Sequence, residues 1–260
     1  MTGLIAGCCA LFGLLIGSFL NVVIWRVPRK ESIVAPPSHC PGCGNPIAPR
    51  DNVPVISWLM LRGRCRHCQT RISARYPLIE LSCAILFAAI GARFAHSWAL
   101  PAYLVFGAGL LAISVIDLDH YIIPNRVVYP LGFISFPLLA LGAGFDGHWW
   151  SLQRGLIGAA CAFSVLFLIH FVSPRGMGFG DVRLSFLLGL FLGYLGAAEV
   201  MAGLFLGFAY GSIIGLVLMA TGKRGRRQHI PFGPFLAAGA ITIVLVGGPI
   251  LDWYRSTGRA

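Results

Sequence analysis

The sequence predicts an all-α polytopic membrane protein of about eight transmembrane helices, with one small cytoplasmic loop domain of zinc-ribbon type. Three observations lead to this class. Hydrophobic residues make up 57% of the 260-residue chain against 11% charged, and the mean hydropathy is +0.79, a balance foreign to soluble globules. Long apolar stretches recur from one end of the chain to the other. Twenty Lys and Arg face nine Asp and Glu, for a formal charge of +11, and on so apolar a chain this basic excess is first a signal of topology. The same figures exclude a disordered chain, a disulfide-dense secreted scaffold and a nucleic-acid-binding protein.

The chain opens with an uncharged stretch from Met1 to Trp25, too long for a cleavable signal peptide and without its basic start, so it is expected to remain as a membrane helix. Further apolar stretches run over 77–92 (interrupted by Glu80), 97–116, 127–145, 155–174, 184–222 and 230–251. The 184–222 stretch has 39 residues. At ~1.5 Å per residue, one helix of that length overshoots a hydrocarbon core of about 30 Å almost twofold. It must therefore fold into two helices, turning near Gly193 to Glu199, which brings the total to eight.

Orientation follows from the basic residues. With the N-terminus outside, the segments 26–76, 117–126, 175–183 and 223–229 are cytoplasmic and hold sixteen of the twenty Lys and Arg, leaving Arg93, Arg154, Arg255 and Arg259 outside. Both termini are then expected away from the cytoplasm.

The one substantial polar segment, about Pro28 to Tyr76, contains Cys40-Pro-Gly-Cys43 and Cys65-Arg-His-Cys68 with twenty-one residues between the pairs. A CxxC turn brings two thiolates to one ion from the same side, and two such turns complete a tetrahedron. Disulfides and a thioredoxin-like redox motif are the alternatives. A reducing cytoplasmic location disfavours the first, and no βαβ pattern surrounds either pair. Cys40, Cys43, Cys65 and Cys68 are thus expected to hold structural zinc, with His67 a surface residue. Cys8, Cys9, Cys83 and Cys161 lie in apolar spans and read as small core residues.

The acids are few enough to take one by one. Glu31 and Asp51 fall in the polar segment, and Asp146 and Asp252 near outer span ends, where solvated surface positions are expected. Glu80, Asp117, Asp119, Asp181 and Glu199 lie in or at the edge of spans, and an ionisable group there costs several kcal/mol unless paired or hydrated. Asp117 and Asp119 close the third span in Ile116-Asp-Leu-Asp-His-Tyr-Ile-Ile-Pro-Asn125. Residues two apart point to different sides of a helix, so they cannot pair with each other. Asp181 opens the sixth span in Gly178-Phe-Gly-Asp181, at the same membrane depth as Asp117. Two carboxyl groups in contact share one proton, the ionised member activating water and the protonated one donating to a carbonyl. Helix polarity predicts the resting proton on Asp117, which closes a span, and the base in Asp181, which opens one.

At these residues the chain closely resembles the type IV prepilin peptidase family of aspartic membrane proteases. The resemblance runs through Gly17-Ser-Phe-Leu-Asn-Val-Val-Ile24 with Arg26 and Pro28, the paired CxxC motifs, Asn52-Val-Pro-Val-Ile-Ser-Trp58, Leu61-Arg-Gly-Arg-Cys65, Arg75-Tyr-Pro-Leu-Ile-Glu80, the Asp117 segment, Gly178-Phe-Gly-Asp181 and Pro231-Phe-Gly-Pro-Phe235. It implies a bifunctional enzyme of the bacterial inner membrane. Such an enzyme removes the short basic leader of prepilins and pseudopilins after a Gly at the cytoplasmic face, and then N-methylates the new terminal residue with S-adenosylmethionine. Carried over by position, Asp117 and Asp181 are the catalytic pair, supported by Asp119, Gly178 and Gly180. Asn125 departs from the Asp that many relatives carry. The resemblance further implies a methyltransferase-associated part over 1–96, with Asn21, Arg26 and Glu80 as candidate methyl-donor contacts, and a peptidase core over 97–260. A peptidase without methyltransferase activity and a proton-coupled transporter are the competing classes. The paired CxxC loop speaks against the first, and the absence of an internal repeat against the second.

Overall fold

The computed structural model describes residues 1–174, 176–221 and 231–257, with side chains described as far as Gly248. The basic run at 223–229, Arg175 and Arg259 lie outside the described residues, as do the side chains of Asp252 and Arg255. The chain forms two compact units, the first spanning Met1–His96 and the second beginning at Ser97.

In the first unit α1 (Thr2–Arg26) and α3 (Arg75–Arg93) pack antiparallel, joined by the polar segment that carries the short helix α2 (Ile56–Met60). Their contact is a row of small residues. A Cβ on Gly13 would lie 2.8 Å from Ala84 Cα, one on Gly17 2.7 Å from Glu80 Cα, and one on Gly91 2.8 Å from Cys9 Sγ. Without a hydrophobic force between helices in lipid, such close backbone approach is what holds a pair together. Cys9 and Cys83 are buried in this contact, but Cys8 and Cys161 are exposed, on faces that a bilayer would cover. The core reading thus holds for two of the four, because apolar character in a span does not distinguish a core-facing position from a lipid-facing one.

The second unit contains α4 (Leu100–His120), α5 (Asn125–Phe145), α6 (Trp149–Val172), α7 (Phe179–Leu195), α8 (Ala197–Ala220) and α9 (Gly233–Thr257). The break expected in the 39-residue stretch falls at Gly196, one residue between α7 and α8. α7 is the central helix: every residue from Leu187 to Tyr194 is buried, and it touches α5, α6, α8 and α9. An all-round apolar surface is the mark of such a position. The α6–α7 contact is built of glycine against backbone, with a Cβ on Gly189 falling 2.3 Å from the Gly158 carbonyl oxygen and one on Gly193 2.7 Å from that of Arg154. Phe106 of α4 stacks on Phe191 of α7 at 3.9 Å between ring centroids, and the buried Tyr103 hydroxyl donates to the Phe191 carbonyl at 2.9 Å. In the same unit Asp146 is half-buried and caps the chain before α4. It accepts from the Ser97 hydroxyl at 2.7 Å and the Trp98 N–H at 3.1 Å, where chain turning into α4 leaves donors free.

Among the described residues six helices, α1, α3, α4, α5, α6 and α8, are long and apolar enough to cross a membrane, so this is a multi-pass membrane protein. α7 has 17 residues, or ~25 Å, and the apolar part of α9 covers Gly233–Gly248. α7 falls short of the length expected for an unaided crossing.

The glycine seam makes a test. Gly189→Ala should destabilise the protein by roughly 1–3 kcal/mol, because the added methyl meets backbone that cannot yield. Gly3→Ala, with nothing within 4 Å, should be near neutral. Thermal unfolding of both variants in one detergent decides it, and equal melting of the two would show that α6 and α7 are not held by this contact.

Candidate active site and metal centre

The carboxyl pair lies within the second unit. α4 ends because Tyr121 adopts a left-handed conformation, φ 57°, and its N–H closes the last turn on the Asp117 carbonyl at 2.9 Å. This stops the helix one turn after Asp117 and sends the chain through Ile122, Ile123 and Pro124 into α5. Asp117 is buried, while Asp119 is exposed, as their separation by two positions requires. α7 starts at Gly178, with Asp181 buried in its first turn. The preceding connection is tied back by His170 of α6, whose Nδ1 lies 2.8 Å from the Met177 carbonyl oxygen.

The glycines on either side of Phe179 have separate uses. A Cβ on Gly178 would stand 3.3 Å from Asp181 Oδ2, so the carboxyl group folds back over the helix start. A Cβ on Gly180 would stand 2.9 Å from Ile123 Cβ, so the first turn of α7 presses on the α4–α5 connection. Cδ1 of the same isoleucine would stand 3.1 Å from a Cβ on Gly233, beside Asp117 Oδ2, so the two buried aspartates flank Ile123. Oδ1 of Asp181 is buried and has no hydrogen-bond partner among the described residues. Asn125, the departure from the family pattern, accepts from the Arg183 guanidinium, which also lies 4.6 Å over the Phe179 ring.

One group was not foreseen from the sequence. The N–H of Gly233, the first residue of α9, donates to Asp117 Oδ2 at 3.0 Å. Asp117 therefore faces the positive end of α9 as well as the negative end of its own helix, and Asp181 faces the positive end of α7. The dipole argument for placing the resting proton considered one helix per carboxyl group. With three helix ends converging, that argument no longer separates the two aspartates.

The metal candidates form the loop of the first unit. The Sγ atoms of Cys40, Cys43, Cys65 and Cys68 all lie within 4.8 Å of one another, and those of Cys40 and Cys68 are 3.7 Å apart. A tetrahedron with ~2.3 Å zinc–sulfur bonds has edges of about 3.8 Å, so the set fits zinc. The two turns are built alike. In each, the first Cys N–H donates to the carbonyl five residues on (Asn45, Thr70) at 2.9 Å, and its carbonyl accepts from the N–H four residues on (Gly44, Gln69). Gly44 and Gln69 take the left-handed conformation that closes the turn. Thr70 Oγ1, 3.2 Å from Cys68 Sγ, helps bring that thiol down to about 6. His67 is exposed and outside the cluster.

Arg26 and Glu80 anchor this loop to its helix pair, and Asn21 ties the two helices together beside it. The buried Arg26 guanidinium donates to the Ser32 and Pro36 carbonyls at 2.9 and 2.7 Å. Glu80 Oε2 accepts the Val55 N–H at 2.7 Å, at a residue with φ 60°, and Asn21 Nδ2 donates to the Tyr76 carbonyl at 3.2 Å. Away from the helices the loop is held by Arg66 on Asp51, which keeps that carboxyl below its ordinary range, and by the Trp58 indole on the Ile72 carbonyl.

Comparison with known proteins follows the same division. The model of the bacterial peptidase A24 N-terminal domain matches residues 11–94, and that of the type IV leader peptidase family matches residues 104–220. Among curated proteins, the prepilin leader peptidase/N-methyltransferase of Bacillus subtilis (strain 168) is 36% identical over 94% of this chain and 95% of its own length. That of Aeromonas hydrophila is 36% identical over 94% and 91%, and that of Pseudomonas aeruginosa 34% over 95% and 92%. No solved structure matches. A likeness that runs almost from end to end, through the cysteine turns and both buried aspartates, makes this chain a member of the type IV leader peptidase family.

Proposed function

We infer that this protein is a membrane aspartic endopeptidase that removes the basic leader of type IV prepilins or pseudopilins after a Gly, and then methylates the new N-terminal amine. The observation that carries the peptidase reading is that two buried carboxyl groups, Asp117 from the last turn of α4 and Asp181 from the first turn of α7, flank one residue, Ile123. Relatives alike over nearly their whole length support both activities.

In the chemistry these residues can perform, the ionised member of the pair takes a proton from water as it attacks the scissile carbonyl, and the protonated member donates to the carbonyl oxygen. Collapse of the tetrahedral intermediate breaks the C–N bond, and the proton taken from water passes to the leaving amine. That amine is the acceptor for the methyl group, which S-adenosylmethionine supplies as a second substrate. Gly178 and Gly180 support the pair by letting the first turn of α7 approach Ile123. Asp119, exposed one half-turn beyond Asp117, supports it from outside.

In the first unit, Cys40, Cys43, Cys65 and Cys68 would hold zinc. Four thiolates saturate the ion and leave no position for a catalytic water, so its contribution is to fold the loop. We assign methyl transfer to this unit, the loop and adjoining helix ends being its site, and cleavage to the second. The bonds made by Arg26 and Glu80 support a loop-ordering role for both; the bond of Asn21 joins α1 to the start of α3. Eight spans complete the topology when α7, enclosed by longer helices, and α9 are counted with the six apolar ones. The basic residues favour both termini outside and the aspartates at the cytoplasmic face of the bacterial inner membrane.

Asp117→Asn and Asp181→Asn should each lower leader cleavage by about a hundredfold or more, and Asp119→Asn much less. The assay is cleavage of a prepilin by purified variants; normal cleavage by Asp117→Asn with loss in Asp119→Asn would move the catalytic role two residues along.

Cys65→Ser should release bound zinc, loosen the loop and reduce methylation, with a smaller loss of cleavage. Zinc content, leader loss and methyl incorporation are measured on one preparation. Cleavage falling in step with zinc, in protein that still inserts, would show that the loop also builds the peptidase site.

A further inference from the structure

The head of α9 has four backbone N–H positions that its own helix cannot satisfy in the usual way, and each is accounted for. Pro234 has no N–H. Those of Phe235 and Leu236 turn back onto the Phe232 carbonyl at 3.1 and 3.2 Å. The remaining one, on Gly233, leaves the helix and reaches Asp117 Oδ2 at 3.0 Å in a buried position. An orphan donor at a helix start is available to an anion, and a proline in the next place narrows the choice to a single amide. The residue must also be glycine. A Cβ there would stand 2.8 Å from Asp117 Oδ2 and 3.1 Å from Ile123 Cδ1, the same isoleucine that packs on Gly180 beside Asp181.

We propose that Gly233 is a positioning residue of the peptidase, its N–H fixing the Asp117 carboxyl group opposite Asp181 and its missing side chain leaving that carboxyl group room. The inference rests on the aspartate pair as the peptidase site and extends it from two helices to three. One oxygen of Asp117 is committed to the amide, so the carboxyl group cannot rotate freely. It meets substrate in one orientation. Bonds from backbone to a catalytic carboxylate hold the geometry without adding a group that could itself titrate.

The test uses the whole enzyme in detergent and a full-length prepilin, with kcat and KM resolved. Gly233→Ala should lower kcat about tenfold or more while KM stays within roughly twofold, since the affinity for substrate does not depend on this bond. Ile123→Val separates positioning from packing. It removes Cδ1, the atom a new methyl would meet on that side, but leaves the conflict with Asp117 in place. The double variant Gly233→Ala with Ile123→Val should therefore stay as slow as Gly233→Ala alone. Wild-type kcat in Gly233→Ala, or recovery in the double variant, overturns the proposal.

A second measurement stands even if Gly233→Ala does not assemble. Amide exchange at Gly233 should be slow in the wild-type enzyme and faster in Asp117→Ala, and equal exchange in the two overturns the proposal as well. Failure of the underlying pair would look different, since Asp117→Asn would then still cleave.

Discussion

A carboxyl group taken out of water is expensive, and placing a second one beside it adds repulsion to desolvation. The second unit is organised around making that arrangement tolerable. Three helix ends converge on it, the last turn of α4 and the first turns of α7 and α9. Two of these ends, the starts of α7 and α9, carry unspent backbone donors, so they stabilise negative charge against the opposing end of α4 without bringing in further ionisable side chains. The left-handed Tyr121, Gly178, Gly180 and Gly233 serve this convergence. Each lets a helix stop, start or come close where a bulkier or right-handed residue would hold the carboxyl groups apart.

The first unit solves a different problem with related means. A polar segment of nearly fifty residues has little apolar content to fold on, and two like turns gather four cysteine sulfurs into a cluster that could hold a metal ion as its nucleus. Its connection to the helices depends on charged groups. Arg26 reaches up from the end of α1 to two loop carbonyls, and Glu80 reaches from α3 to the strained start of α2. Charged side chains at the edge of apolar helices are costly in isolation, but here they satisfy backbone groups of the loop they hold.

Much of this was legible in advance because membrane helices and metal turns write themselves into sequence by length and spacing. The apolar stretches located the long helices, with the division of the longest at Gly196, and the CxxC pairs gave the thiolate cluster. The alternation of Asp117 and Asp119 across the α4 surface also followed from helical geometry alone. What sequence could not supply was the destination of a backbone N–H. Gly233 stands in a segment whose pattern was visible, yet an amide has no letter of its own, and only the position of α9 gives it Asp117 as a partner. Asp146 is the complementary case. Proximity to a span end suggested solvent, whereas Ser97, 49 positions earlier in the chain, supplies its partner. The dipole argument for the resting proton meets the same limit, since it counts the dipole of each residue's own helix and cannot see a third.

Gly196 has a mechanical consequence. As the lone residue between α7 and α8, with φ 171°, it is extended backbone and holds no slack. α7 cannot slide along its axis unless α8 moves too, and its glycine seam with α6 resists rotation. A force on the first turn of α7, where Asp181 sits, is therefore shared at once by the three helices. The carboxyl group is carried on a strut, and the compliance needed for substrate to enter and leave must lie in other parts of the protein.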